Sequence, residues 1–456
     1  MTGLFDGVLN RGPVGPLTDD TAWVQALLDA EAALARALAD TGTGPTGRQA
    51  ETIAAACVAD RYDPAALGRA AERGGNPVIP LVAELTEQVR AADPEAARHV
   101  HRGATSQDIM DTAAMLLVRG AGRALHTELT ALTAELRALA DRYRAAPMPG
   151  RTLLQQALPT TFGAVAAGWA EGLTGAADRL DDVLSHQLAA QLGGAVGTLA
   201  SLDPDGPAVA AAYSARLDLP EPALPWHTER GRVTEAAAAL GRVCGAAGTV
   251  AQDIVLLAQT EVGEVTEEGG SGVGGSSTMP HKRNPVAAVS ALAAARQAPG
   301  LVSTLFAAQI QEHQRAAGSW HTEWLPLTDL LRRTGSAVSW LRVSVERLLV
   351  HPDRMRANLD HTAGLALSER VTTDLAPELG RMEAHRRVTD ACRAAVAEDR
   401  DLVDVLEDHL GGLRTRDRIR ALLDPAAYLG AATVFTDRVT GRTGRATRTD
   451  SEEGTR

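Results

Sequence analysis

Aromatic side chains are scarce. Trp, Tyr and Phe make up 3% of the 456 residues, whereas Ala, Leu and Val carry most of a 45% hydrophobic share. Alanine and leucine are strong helix formers, so this balance implies closely packed long helices. Runs of Val, Thr and aromatic residues alternating with period two are almost absent, and no sheet is expected. Cysteine is nearly missing as well. Cys57, Cys244 and Cys392 lie far apart and outside CxxC spacing, which excludes a disulfide framework and a thiolate metal site and suits small buried residues in a reducing compartment. No stretch reaches about 18 uninterrupted apolar residues, and no basic segment followed by an apolar run opens the chain. A soluble, cytoplasmic protein with no membrane partner is expected. Positive charge is not in excess either: the formal net charge of -12 argues against a nucleic-acid partner. Small anionic substrates stay open, because a local cluster of Arg, Lys and N–H groups can oppose the global field.

The length is too great for one compact core and implies two or three domains. The most informative stretch is 269–285, GGSGVGGSSTMPHKRNP. Its glycines let the backbone curl so that several N–H groups converge on one spot, an anion-binding concavity. Ser276 and Ser277 end the glycine run, Met279-Pro280 makes a tight step, and Lys282 and Asn284 follow. A serine hydroxyl there loses its proton more readily than in water, because N–H dipoles and Lys282 favour the alkoxide. Asn284 can fix the loop or hold a carboxylate. Bulky and charged residues interrupt the low complexity, which separates this stretch from a Gly/Ser linker.

In chain order, Trp23, Leu27, Leu34 and Leu38 recur at helical spacing over 20–40, and Gly42 closes that helix. Short helices interrupted by Pro64, Gly68 and Gly74-Gly75 complete a first domain over 1–100. Residues 101–108, HRGATSQD, precede a long helical pattern. Thr105 and Asp108 have capping-box spacing. The same helix start, with the hydroxyls of Thr105 and Ser106 and free N–H groups, suits a carboxylate. A seam then runs through Leu125, Leu129, Leu132, Leu136, Leu139 and Tyr143, and a second through Leu240, Val243, Ala247, Val250, Ile254 and Leu257. Further long helices are expected around 160–190, 286–315 and 325–350. Helices of 30 residues reach roughly 45 Å, and such rods expose apolar faces unless they associate. Residues 150–163, GRTLLQQALPTTFG, read as a break between helices in which Arg151, Thr152 and Gln155 supply donors. LPWHTER (224–230) and EHQRAAGSWHTEW (312–324) cluster Trp226, His227, Arg230, Arg315, His321 and Trp324. Each is, taken singly, more plainly a satisfied structural residue, as are His126 and His186. From about 351 the segments shorten, Pro425 to Phe435 ends the ordered part, and polar residues 438–456 are expected to be a disordered tail. There is no internal repeat.

GSSTMPHKRNP resembles the signature loop of the fumarase/aspartase superfamily, which includes adenylosuccinate lyase, argininosuccinate lyase and class II fumarase. Ser277, Lys282 and Asn284 match that family's serine base and its lysine and asparagine partners. HRGATSQD resembles the first conserved region, whose Thr-Ser pair binds a substrate carboxylate, and GRTLLQQALPTTFG resembles the second. The resemblance covers nearly the whole chain. It implies an all-α, three-domain fold: an N-terminal domain (1–100), a central long-helix bundle (101–350) and a small C-terminal domain (351–437). It further implies a homotetramer with a 20-helix core, active sites shared between subunits, and no cofactor or metal. Ser277, Lys282 and His101 are then the catalytic candidates, His101 as partner acid or carboxylate ligand. Thr105, Ser106, Gln107, Arg151, Thr152, Gln155, Ser276, Met279, Asn284, His227, Arg230 and Arg315 are the candidates for binding a small polycarboxylate. Two departures matter. Leu153 and Asn76 stand where adenylosuccinate lyase keeps histidines, and Trp324 lies near the place of its phosphate-binding arginine. These departures resemble the bacterial 3-carboxy-cis,cis-muconate cycloisomerase branch. Arg102 stands where that branch often carries Trp, so a related lyase on a succinyl-type substrate, such as nitrosuccinate lyase, stays open. A non-catalytic descendant like the lens crystallins fits less well with the retained Ser277, Lys282, Asn284 and Thr105-Ser106.

Overall fold

The computed structural model describes residues 3–269, 279 and 282–441. Ser276 and Ser277, and residues 442–456 of the expected tail, lie outside the described residues. By internal packing the chain divides into two units: Met1–Thr130, Gly175–Thr249 and Val289–Arg342 form the first, and Ala131–Thr174, Val250–Ala288 and Val343–Arg456 the second.

In the first unit the helix expected over 20–40 is Asp20–Asp40. The Asp19 side chain accepts from the Ala22 N–H at 2.8 Å, satisfying one free donor at the helix start. Leu27, Leu34 and Leu38 are buried, and Gly42 leaves the helix at φ 70°. This helix packs on Gly47–Ala56 and Gly206–Arg216. The long seams also hold. Leu125, Leu129, Leu132 and Leu136 are buried along Ser106–Arg142, and all six residues of the second seam are buried along Gly231–Leu257. By length and composition Gly231–Leu257 could cross a membrane, but its apolar seam is spent on the core. The 286–315 pattern is two helices, Val286–Ala295 and Ala298–Ala307, because Pro299 sits in the first turn of the second. Ser319–Glu346 starts before the expected 325 and carries Pro326 inside it.

The expectation of no sheet needs correction in the second unit, which holds two small antiparallel pairs. Pro147–Thr152 pairs with Gln155–Thr161, and Val265–Glu267 with Leu348–Val350. The first pair replaces the expected break at 150–163. Its two-residue turn, Leu153-Leu154, has φ of 52° and 63°, the doubly left-handed geometry of a tight hairpin. Asn-Gly usually signals such a turn, and two leucines conceal it. The small helices Ser368–Leu379, Arg381–Glu398, Leu402–Leu410 and Arg416–Leu422 close on Val371, Leu375, Val388, Val405, Leu406 and Ile419. The expected tail starts too early at 438: helix Ala432–Thr440 carries the chain onward, with Thr436 buried and Asp437 gripped through two N–H groups by Arg144. All three cysteines are free. Cys57 and Cys244 are buried as expected, and Cys392 only half so.

Candidate active site

In the first unit the site grows from the start of Ser106–Arg142. The Thr105 N–H donates to Asp108 Oδ2 at 2.9 Å, as capping-box spacing requires. Asp108, fully buried, does more than cap. Its Oδ1 accepts from the Gly193 N–H at 2.9 Å and His227 Nε2 at 2.7 Å, and its Oδ2 from the Gly194 N–H at 2.9 Å. Four donors thus saturate one carboxylate and lock the 193–194 strap against the helix start. The approach is too close for side chains. A Cβ on Gly103 (φ 84°) would lie 2.6 Å from the Leu202 side chain, and one on Gly194 (φ 68°) 3.1 Å from the Gly103 carbonyl.

This lock leaves Thr105 and Ser106 partly exposed at the helix start, with Arg315 Nη1 donating to Thr105 Oγ1 at 2.6 Å. His101 occupies the turn just before them at φ 57°, its ring one-fifth exposed and its Nδ1 2.6 Å from Glu31 Oε1. Burial works against an imidazolium there, but the charge and hydrogen bond of Glu31, helped by Asp108, outweigh it and raise the His101 pKa. The Arg315 guanidinium, the His101 imidazole, two hydroxyls and the N–H groups of a helix start form a set of donors chemically suited to a carboxylate.

Three expected substrate ligands are instead placed in the core. Gln107 Nε2 donates to the His227 carbonyl at 2.8 Å, and His227 is spent on Asp108. Arg230, 2% exposed, donates to both oxygens of Asp111 at 2.8 and 2.9 Å and to Glu323, and stacks on Trp226. Burial opposes the Arg230 charge, yet Asp111 and Glu323 outweigh it and raise its pKa. Trp320 Nε1 completes the network on Asp111 at 3.1 Å. Spacing within LPWHTER could not reveal carboxylates that arrive from two other helices. Arg230→Ala strands Asp111 and Glu323 as buried, uncompensated charges. It should cost about 3–5 kcal/mol in chemical unfolding at fixed protein concentration. A loss below about 1 kcal/mol would mean the network is not structural.

In the second unit Arg151 also differs from expectation. Its Nη1 and Nη2 donate to Glu264 at 2.9 and 2.6 Å, a bidentate pair with a carboxylate that is wholly buried. Asn358 adds a bond to Glu264 at 2.7 Å. Arg151 therefore anchors the hairpin, whose tip presents Thr152 and Gln155 exposed beside Leu153 (97% exposed) and Leu154. Glu267 clamps the ends of the signature loop. It follows the strand residues Val265 and Thr266, and its carboxylate accepts from the N–H groups of Ala287 and Ala288 at 3.0 and 2.8 Å and from Ser344 Oγ at 2.6 Å. Within the loop Met279 and Lys282 are exposed, Asn284 is partly so, and the Lys282 N–H donates to the Met279 carbonyl at 3.0 Å. Lys282 is the only lysine among the chain's 45 Lys and Arg residues. Everywhere else an arginine serves, so this position favours a compact ammonium over a planar fork. Among the described residues no three His, Cys, Asp or Glu side chains are grouped to hold a metal.

The long helices and the hydroxyl-bearing helix start fit a helical enzyme of the lyase type. The profile of the family described as Lyase matches residues 17–300, and that of the Adenylosuccinate lyase C-terminus matches 364–439. The chain belongs to this family, within the fumarase/aspartase superfamily. It is 46% identical over 441 residues to a 3-carboxy-cis,cis-muconate cycloisomerase of Bradyrhizobium diazoefficiens, covering 96% of this chain and 98% of the relative. A nitrosuccinate lyase of Streptomyces davaonensis is 42% identical, covering 98% and 96%. The crystal structure of the 3-carboxy-cis,cis-muconate lactonizing enzyme of Pseudomonas putida superposes with a TM-score of 0.91 at 43% identity, covering 97% of this chain and 99% of that one.

Proposed function

We propose that the protein is a 3-carboxy-cis,cis-muconate cycloisomerase, a cofactor-independent, cytoplasmic enzyme that closes and opens a lactone. In the opening direction a base removes the proton next to a carboxylate, the electron pair moves into that carboxylate as an aci-dianion, and the β C–O bond breaks to release a second carboxylate. Closure is the reverse: the carboxylate adds to the double bond and the carbanion is protonated. Ser277 is the base, with Lys282 and Asn284 stabilising the charge that grows on the aci-carboxylate. Ser276 and Met279 line the loop, Thr152 and Gln155 contact the substrate from the hairpin tip, and His101, Thr105, Ser106 and Arg315 hold a carboxylate. The three segments come from different chains of a homotetramer built on the domains 1–100, 101–350 and 351–437. The exposed, apolar Leu153-Leu154 tip supports burial against a neighbour.

What carries this reading is a cationic carboxylate site without the family's imidazole acids. An amine or hydroxide leaves only with help from an acid. A carboxylate, the anion of an acid of pKa roughly 4, leaves by itself. Leu153 points from an exposed turn, and Asn76 spends its Oδ1 on the Val78 N–H at 3.1 Å; neither supplies a proton. Nitrite is also a stable leaving anion, so the same site suits nitrosuccinate, and the 46% likeness to a cycloisomerase selects between them. The diene of 3-carboxymuconate loses its ultraviolet absorbance on lactonisation. The expected result is absorbance decay with kcat/KM of about 10⁴ M⁻¹s⁻¹ or more, and much weaker turnover of succinyl compounds. Rapid nitrite release from nitrosuccinate with no decay of the diene would reverse the choice.

A further inference from the structure

We infer that Glu31 is a positioning residue of the site, holding His101 as a fixed cation that binds a substrate carboxylate, so that His101 does not serve as an acid. The inference rests on the carboxylate-site reading of the Thr105 helix start. Glu31 lies on the apolar stripe of Asp20–Asp40, four residues after Leu27 and three before Leu34, and is 1% exposed. A carboxylate in such a place is costly unless a cation compensates it. Its Oε1 is 2.6 Å from His101 Nδ1, and among the described residues its buried Oε2 has no hydrogen-bond partner. His101 is therefore its one hydrogen-bonded counter-charge. The left-handed turn at φ 57° fixes the imidazole from the backbone side while Glu31 holds Nδ1. Nε2, the other edge of a ring that is one-fifth exposed, is the edge left for a ligand.

The surrounding charges favour the same state. Glu31 faces His101 from Asp20–Asp40 and Asp108 from Ser106–Arg142, while the buried Tyr213 phenol of Gly206–Arg216 feels the charge of both carboxylates. Burial raises the Tyr213 pKa, so it stays neutral. His227 is bound to Asp108, and Arg315 sits on Thr105 beyond. An acid must give up its proton in each turnover. A buried carboxylate that opposes that loss suits a permanent cation better.

The sign follows from the raised pKa: the cation is present below it and lost as pH rises through it. Binding should therefore weaken on the alkaline side. In Glu31→Gln both raising influences of Glu31 vanish and burial dominates, so weakening should begin at lower pH. The probe is propane-1,2,3-tricarboxylate, titrated calorimetrically over roughly pH 6 to 9, alongside KM and kcat for 3-carboxymuconate. At neutral pH Glu31→Gln should weaken tricarboxylate binding and raise KM by about tenfold to a hundredfold, the scale of one charge-assisted hydrogen bond, with kcat changed less than about threefold. His101→Gln should remove the pH dependence altogether. Loss of kcat at unchanged KM would instead make His101 an acid and overturn the inference. If Glu31→Gln does not fold, the wild type still decides: tricarboxylate affinity that is flat across the range overturns it. Should 3-carboxymuconate prove inert while tricarboxylate binding keeps its Glu31-dependent limb, the substrate assignment fails and the Glu31–His101 pair stands.

Discussion

Ser277→Ala should lower the turnover number by about two to four orders of magnitude, the scale of losing a positioned base, and should leave folding, assembly and KM nearly unchanged. Alanine removes only the hydroxyl. The frame of the loop does not depend on the serine. Glu267 holds the strand on one side and the first N–H groups of Val286–Ala295 on the other, together with Ser344, so the mutant keeps its clamp. On the proposed mechanism the ground state loses little, because the Thr105 segment, Lys282 and Asn284 would still hold the substrate's carboxylates. The transition state loses the group that takes the proton. Steady-state kinetics with size-exclusion chromatography reads both halves of the prediction. Near wild-type turnover in an intact oligomer would remove Ser277 from the mechanism.

The features legible in the sequence were those whose physics is local. The Asp20–Asp40 helix showed in the recurrence of Leu27, Leu34 and Leu38, and the long helices in their leucine and alanine seams, because one buried stripe needs no knowledge of what covers it. Thr105 and Asp108 were readable as a cap for the same reason. What Asp108 does for Gly193, Gly194 and His227 was not, since those partners lie 85 to 119 residues away. The roles of His227, Gln107 and Arg230 were hidden likewise. Asp108, Asp111 and Glu323 reach His227 and Arg230 from distant helices, Gln107 bonds the His227 carbonyl 120 residues on, and a polar cluster on short spacing looks alike whether it faces a ligand or a core. The pairing of Arg151 with Glu264 is equally hidden, because Glu264 lies 113 residues on. One missed residue did leave a signal. Glu31 interrupts the apolar stripe between Leu27 and Leu34, and a carboxylate on a buried stripe implies a partner. The hairpin left almost none, because Pro149, Gly150 and Pro159 read as punctuation and Leu153-Leu154 is an improbable turn.

Mixing two inactive variants should restore activity. The exposed Leu153-Leu154 tip leaves apolar surface on an isolated chain, so a stable oligomer is expected. Ser106→Ala damages the carboxylate site at the start of Ser106–Arg142, and Ser277→Ala removes the base. Each variant carries a single substitution and keeps the other's segment intact. When the two are unfolded and refolded together, the proposed homotetramer should reassemble from mixed chains. A site that draws its helix start from a Ser277→Ala chain and its signature loop from a Ser106→Ala chain carries neither lesion. If those segments come from different chains and mixing is random, each condition holds for half of the sites. About a quarter of wild-type activity should then return, assuming equal association. If one chain supplied both segments, every site would keep a lesion and no activity would return, however completely the chains mixed. Differently tagged variants recovered by tandem affinity purification would show that mixed tetramers had formed. With that shown, a null result refutes the shared site, and a return well above a quarter would mean that assembly favours the mixed arrangement.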